Sequence, residues 1–346
     1  MPPVAVRILH PLPDPAAGPL TRWVSDERAS LAVRHRRGFE RAGADDVLVV
    51  TGSADGRTFG ARLRELVAGI RSGGLAILGS GSIPLATLAD RRSFVTAAAS
   101  QKAWAVANNR YSADVVAISL VERLPAIPDL PGDNGLPRWL ERVAGYHVDD
   151  LRRRWRLGVD IDGPLDLVLT GARDPAAHDL STVRDRLGGI GRVAGDARAE
   201  LLVAGRSSAT TLAWLERYTA SRTRALIEER GLRAAGTATQ RPPASVLGAL
   251  LDRDGPASFG EHLARVGEAA IVDTRVLLAH RLGADEAAWP SAEDRFASDL
   301  LLPTLIADPW LRDLTASAVA APIPVVLGGH TVVGPGVRLI IGGTWS

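Results

Sequence analysis

The sequence contains no cysteine, which excludes disulfides, thiolate nucleophiles and cysteine-ligated metals. Lys102 is its only lysine; arginine supplies every other basic side chain, beside abundant Ala, Gly and Pro. That bias is the signature of a GC-rich coding sequence and carries no argument for nucleic acid. The net charge is only +2, and the arginines are interspersed with acids, as in Asp150–Arg156, with no long basic run. No stretch reaches about 18 apolar residues without a charge or a glycine break, so no membrane span is expected. Met1–Arg7 lacks a basic region followed by an apolar core, so no signal peptide is expected either. These absences predict a soluble, cytoplasmic protein with neither a nucleic-acid nor a membrane partner.

What is present is ordinary for a globular chain: 46% hydrophobic and 23% charged residues. A length of 346 residues suits two domains of roughly 150 to 180 residues better than one. In the first half, strand-like runs at Val4–Leu9, Asp46–Gly52, Gly74–Leu78, Val115–Leu120 and Gly158–Ile161 alternate with helical patterns at Ser25–Ala42, Thr58–Ile70, Asp90–Ser100 and Pro137–Ala144. A second alternation begins at Glu200. Its strands are expected at Leu201–Ala204, Arg224–Glu228, Ala269–Val272 and Ile323–Leu327. Its helices are expected at Ala209–Thr219, Pro242–Leu251, Phe259–Arg265, Phe296–Leu305 and Leu311–Ala318. Such spacing predicts mostly parallel sheets covered on both faces. The expectation is therefore two successive three-layer α/β domains, residues 1–172 and 199–346, the second Rossmann-like. They would be joined by an Arg/Asp/Gly-rich transition over 173–198 with one short helix near Ser181–Leu187.

Three segments of the first half carry a resemblance. Val159-Asp160-Ile161-Asp162-Gly163-Pro164-Leu165-Asp166-Leu167 has the form D-x-D-x-P-x-D-L, Leu75–Leu85 is a buried strand running into a small-residue turn and Ile-Pro-Leu, and Gly38–Gly52 joins a helix to a strand through Ala-Gly-Ala-Asp-Asp. Together, over about residues 1–172, they resemble the nucleotidyltransferases of the molybdenum-cofactor guanylyltransferase and phospholactate guanylyltransferase type. The resemblance implies a nucleotidyltransferase-like first domain that binds a nucleoside triphosphate and transfers its nucleotidyl group to a small phosphorylated metabolite. It further implies Mg²⁺ on Asp160 and Asp162, with nucleotide or substrate contacts from Ser80, Gly81, Ser82, Asn108, Asn109, Arg110 and Ser112. In such chemistry, carboxylates from two strand ends hold the hard cation and backbone N–H groups face the phosphates. The sequence departs from the pattern twice. Ser82 stands where the family has a metal-binding aspartate, and the loop His10–Gly18 holds prolines, which have no N–H to offer, where the family has glycines. A catalytically degenerate binding or regulatory protein on the same fold is therefore the alternative reading.

In the second half, Gly205-Arg206-Ser207-Ser208 lies between a buried strand and a helix, where free N–H groups, hydroxyls and a guanidinium make a candidate anion site. The same four residues also read as a capped helix of an ordinary βαβ unit. Glu228 falls where a dinucleotide-binding fold places its ribose-binding acid, though G-x-G-x-x-G is absent. His330 follows two glycines at a strand's carboxyl end, so a third reading puts small-molecule chemistry in this domain, around Arg206 and His330. Two further segments invite a role: Asp133-Asn134-Gly135 as a rim loop, and Arg152–Arg156 as either a solvated face or a phosphate contact. No zinc-ligand spacing and no Gly-x-Ser-x-Gly elbow is present. The sequence leaves base, acceptor and a homo-oligomeric state open.

Overall fold

The computed structural model describes residues 2–53, 55–70, 72–175, 178–230 and 241–345. It divides into two compact units, Met1–Ala16 with Ser25–Ile161, and Ala17–Val24 with Asp162–Ser346. Both are α/β, as the alternation of strand and helix patterns predicts. Among the described residues no helix is long and apolar enough to cross a membrane.

Unit 1 holds β1 (Val4–Pro11), β2 (Asp46–Gly52), β3 (Gly74–Gly79), β4 (Trp104–Ala107), β5 (Val115–Ile118) and β6 (His147–Asp150) in one six-stranded sheet of order β2-β1-β3-β5-β4-β6. Every pairing is parallel except those of β5, which runs antiparallel to both its neighbours. Strand alternation sends Val4, Val6, Ile8, Ala76, Leu78 and Val106 to one face, where they pack with Phe39 of α1 (Pro19–Ala42) and Phe94 of α3 (Leu88–Ala98). Leu75, Ile77, Ala105 and Ala107 face the other way, against Leu63 of α2 (Phe59–Ala68) and Trp139 of α4 (Leu136–Arg142). The unit is thus three-layered. Phe39 and Phe94 are fully buried, each contributing about 2–3 kcal/mol through apolar area removed from water.

Four segments differ from the sequence expectation. Asp46–Gly52 reads as a buried strand, but β2 is an edge strand with mixed burial, since only β1 pairs with it. Gly158–Ile161 forms no strand; its one sheet-like contact is a bridge between Asp160 and Ser82. β4 and β6, at four residues each, were not expected, because WAVA and HVDD are too short to establish an alternation.

Unit 2 holds β7 (Glu200–Gly205), β8 (Arg222–Ile227), β9 (Ala269–Asp273) and β10 (Val325–Gly328), all parallel, in the order β10-β9-β7-β8. Its helices include α5 (Pro164–Leu169), α6 (Ser181–Ala194), α7 (Ala209–Tyr218), α8 (Val246–Asp254), α9 (Phe259–Ala264), α10 (Thr274–Leu282), α11 (Ala292–Asp299) and α12 (Pro309–Ala320). The expected transition over 173–198 and the domain limit at 172 are corrected. The division falls after Ile161, and α6 lies within the 173–198 stretch and packs on β7, β9 and β10. Val183, Leu187, Ile190 and Ala194 recur at helical spacing and are buried, but Gly188, Gly189 and Gly191 among them depress helix propensity and mask the pattern.

Candidate functional sites at the carboxyl edges of the two sheets

In an open α/β sheet, ligands collect outside the carboxyl ends of strands where successive connections leave in opposite directions. Unit 1 has this switch between β1 and β3, because the chain passes from β1 to β2 on one side and then to β3 on the other. α1 and α2 accordingly lie on opposite faces of the sheet. At the switch, His10 ends β1 and Ser80 follows β3, with the His10 Nδ1 and Ser80 Oγ atoms 3.0 Å apart and both side chains buried. Burial, and then Arg28, lower the His10 pKa, keeping the imidazole neutral at neutral pH. A neutral imidazole against a hydroxyl can take up or return a ligand proton.

The small-residue turn after β3 is fixed from below. The Ser82 carbonyl oxygen lies 2.8 Å from Nε2 of the fully buried His35, whose Nδ1 faces Nη2 of Arg91 at 3.3 Å. Burial and Arg91 push the His35 pKa down to about 3, so the ring is neutral: Nε2–H donates to Ser82 and Nδ1 accepts from Arg91. Above the turn, the Arg28 guanidinium donates to the Ile161 carbonyl at 2.7 Å, and the Ile161 amide donates to the Gly81 carbonyl at 3.0 Å. A Cβ on Gly81 would lie 2.9 Å from the Ile161 oxygen, 3.0 Å from Arg28 Nε and 3.2 Å from Asp160 Oδ1, so this position accepts no side chain without displacing them.

Two segments about eighty positions apart in sequence, Ser80–Ser82 and Asp160, thus meet. Nothing in the local sequence of His10, Arg28 and His35 marks them, since they reach Ser80–Ser82 and Ile161 through contacts distant along the chain.

The other expected residues of unit 1 lie in the connection between β4 and β5. The buried Asn108 donates to Asp114 Oδ2 (2.8 Å) and the Leu157 carbonyl (2.9 Å), and accepts from the Asp114 and Val115 amides, leaving its amide group occupied within the protein. Asn109 accepts from the Tyr111 amide in an Asx turn, Arg110 pairs with Glu141, and Ser112 is half-buried in the same turn. Asp133–Gly135 forms a 3₁₀ turn leading into α4. Arg154 and Arg156, read above as a solvated face or a phosphate contact, clamp the fully buried Asp90 at 3.1 and 2.7 Å. Burial opposes ionisation of Asp90, but Arg156 and the Thr87 cap outweigh it and hold the carboxyl below the usual range.

The two aspartates expected at Mg²⁺ stand on either side of the division between the units. Ser82 offers a neutral hydroxyl, Asp160 Oδ1 accepts from the Ile161 amide at 3.0 Å, and Asp162 lies beyond the division between the units. Among the described residues no group of three His, Cys, Asp or Glu side chains could hold a metal ion. The first turns of α1, up to Val24, belong to unit 2. In unit 2, Glu293 of α11 accepts from the Leu20 amide (2.9 Å), the Thr21 amide (3.0 Å) and the Thr21 hydroxyl (2.8 Å). A carboxylate here satisfies the orphan donors that would otherwise face an anion. Replacing Glu293 with alanine is expected to cost about 1–2 kcal/mol, as loss of a helix cap does. The amides of Leu20 and Thr21 should then exchange hydrogen faster by roughly tenfold; unchanged exchange at both would show that the cap contributes nothing.

Unit 2 has its own switch between β7 and β9, since β7 leads to β8 on one side and the chain then returns to β9 on the other. Gly205 ends β7 with φ +130° and a Cβ there would lie 2.3 Å from Asp273 Cβ, so only glycine allows the two strand ends this approach. Arg206 consequently lies on Asp273, donating through Nε at 2.6 Å and Nη2 at 3.0 Å, both side chains buried. Beside them Arg275 forks onto Asp299, with Nη2 to Oδ2 at 2.7 Å. Asp166 is buried too, accepting from the Asp162 and Gly163 amides at 2.9 Å each. Burial, reinforced by the charge of Asp162, pushes its carboxyl up to about 8.

Of the expected anion loop, Ser208 caps α7, accepting from the Thr211 amide at 3.2 Å. Arg206 is matched by Asp273. Glu228 accepts from Ser245 Oγ (2.7 Å) and the Val246 amide (2.6 Å) at the start of α8. His330 does stand at the carboxyl end of β10. A separate cleft of about 220 Å³ beside α10 and α12 includes Arg281, Trp289 and Trp310 in its lining; Arg281 and Arg295 already cover the two indoles at 5.1 and 5.7 Å.

A scan against protein-family models finds no match, and no curated protein matches the chain.

Proposed function

We propose that this chain is a nucleotide-binding protein resembling a nucleotidyltransferase, with its nucleotide crevice at the β1/β3 switch of unit 1 and without the two-carboxylate metal centre that transfer needs. The observation that carries this reading is the pairing of Ser82 with Asp160 beside that switch. Two of the three segments that carry the resemblance meet beside the sheet edge where a nucleotide would lie in such a fold. The turn Gly79–Ser82 brings backbone and small hydroxyls to the crevice, and Arg28 contributes positive charge against Gly81. Ser82 in place of an acid favours binding over nucleotidyl transfer.

The test is a thermal-shift panel of ATP, GTP, CTP and UTP on the full chain, each with and without Mg²⁺. One nucleotide at about 100 times its Kd should stabilise by ~2.7 kcal/mol, raising Tm by roughly 5–10 °C, with or without the metal. The shift should shrink in Arg28→Gln. A Mg²⁺-dependent shift accompanied by pyrophosphate release would replace this reading with an active transferase; no shift from any nucleotide would reject both.

A further inference from the structure

The cleft of about 220 Å³ in unit 2 is walled by the end of α10, the turn that follows it and the start of α12. Gly283, at φ +86°, ends α10 and turns the backbone, a conformation that favours glycine. Trp289 then returns to that turn, where its Nε1 donates to the Gly283 carbonyl at 2.8 Å. At the start of α12, the buried Asp294 of α11 accepts from the Ala307 and Asp308 amides at 3.0 Å each. Both ends of the cleft are thus fixed by hydrogen bonds within the protein.

The lining combines apolar surface with two separate charges. Leu278 and Trp289 are buried in one small cluster, and Trp310 packs against it half-buried. With its N–H given to Gly283, Trp289 offers the cleft ring carbon only. The Trp310 N–H has no hydrogen-bond partner among the described residues. The positive charge is the exposed Arg281 in the last turn of α10. Its guanidinium lies over the Trp310 ring at 5.1 Å, a cation–π contact that orients it without using an N–H. The negative charge is Asp308. One of its oxygens accepts from the Leu311 amide at 2.7 Å as the cap of α12, and the other accepts no hydrogen bond among the described residues. Among those residues, Arg281 and Asp308 form an ion pair neither with each other nor with any third group.

We infer that this cleft binds a free α-amino acid with a single-ring aromatic side chain, with Arg281 taking its carboxylate, Asp308 its ammonium, and the Leu278, Trp289 and Trp310 surface its ring. Two opposite charges that line one cleft without meeting are complementary to a ligand that carries both. A ligand with a single charge would satisfy one of them and be repelled by the other. Volume limits the remainder: a cavity of about 150 Å³ holds benzene, so about 220 Å³ takes one ring with a short charged group. It lies below the roughly 300 Å³ at which pockets for larger ligands begin. Aromatic rings meet indoles favourably edge to face or offset, and a guanidinium fork matches a carboxylate. The inference is independent of the nucleotide reading, since every residue of this lining belongs to unit 2.

The experiment is titration calorimetry of the full chain with phenylalanine near neutral pH. Phenylacetate serves as the arm without an ammonium, phenethylamine as the arm without a carboxylate, and leucine as the arm without a ring. Phenylalanine should bind saturably, and each of the three others more weakly by roughly five- to tenfold, the loss of one contact. Arg281→Gln and Asp308→Asn should each weaken phenylalanine by a similar factor. Asparagine is as good a helix cap as aspartate, so the second variant removes the charge and keeps the fold, which hydrogen exchange of the α12 amides checks. In Asp308→Asn the preference for phenylalanine over phenylacetate should disappear, an effect that general damage to the cleft would not produce. Arg198→Gln, which removes the same charge from a side chain 92% exposed, should leave binding unchanged. The Trp310 indole N–H resonance, assigned by its loss in Trp310→Phe, should move when phenylalanine is added. Any of three results overturns the proposal: no saturable binding of phenylalanine, binding indifferent to both Arg281→Gln and Asp308→Asn, or one of the three comparison ligands binding as tightly as phenylalanine.

Discussion

Arg275→Met is expected to destabilise unit 2 by about 3–5 kcal/mol, the cost of leaving a buried charge without its partner. Arg275 and Asp299 are 7% and 1% exposed, and the Arg275 fork holds both Asp299 oxygens while donating to Thr274 Oγ1 at 3.0 Å. Burial works against the Arg275 charge, but Asp299 outweighs it and the guanidinium is held firmly protonated. Burial likewise pushes the Asp299 carboxyl up, with Arg275 opposing. Without Arg275 the carboxyl must either stay ionised in an apolar setting or take up a proton. The loss should therefore be largest at neutral pH and shrink toward about pH 4, where the unfolded carboxyl also becomes protonated. Urea denaturation at both pH values, with hydrogen exchange of the β9 amides to localise the change, measures this. Arg275→Met with Asp299→Leu should recover most of the stability, since a buried ion pair replaced by apolar groups is often neutral. A single-variant loss below about 1 kcal/mol would mean that water reaches Asp299 and the pair is not truly buried.

Asp166→Asn should have the opposite sign. The folded carboxyl titrates at about 8, raised first by burial and then by Asp162, whereas an unfolded aspartate titrates near its ordinary value. Between these values the unfolded state has lost a proton that the folded state retains, so rising pH favours unfolding. The wild-type chain should lose stability from about pH 4 to about pH 8 and level off above. Asparagine keeps an acceptor for the Asp162 and Gly163 amides and does not titrate. Relative to wild type it should gain on the order of 2–4 kcal/mol between about pH 5 and about pH 8, at no more than ~1.4 kcal/mol per pH unit. A difference between the two proteins that stays constant across that range would show that Asp166 is ionised throughout.

Both effects come from a density of buried charge that composition alone does not reveal. Asp166, Arg206, Asp273, Arg275 and Asp299 are all at most 8% exposed, although the chain as a whole is ordinarily charged. Polar groups of this kind are retained inside a fold where they are paired, and perturbed titration clusters where ligands bind.

The sequence by itself determined the α/β class, the presence of two units, and most helices, because hydrophobic periodicity is a local signal that survives without knowledge of contacts. It also located Ser80–Ser82 and His330 at strand ends, since a buried run followed by glycines reads as strand and turn. The tertiary structure alone decided what those residues do. Asn108 became an internal staple, Arg154 and Arg156 became the counterions of Asp90, and Arg206 was matched by Asp273, each through a partner 6 to 67 positions away. The Asp-x-Asp motif was legible, yet its second aspartate falls across the division between the units. Short strands such as β4 and β6 form only because neighbours in the sheet complete their hydrogen bonds. Side-chain type is written in the chain, but pairing is a property of space: the desolvation that shifts Asp166 or His330, and the counterion that offsets it, arise only when remote segments meet.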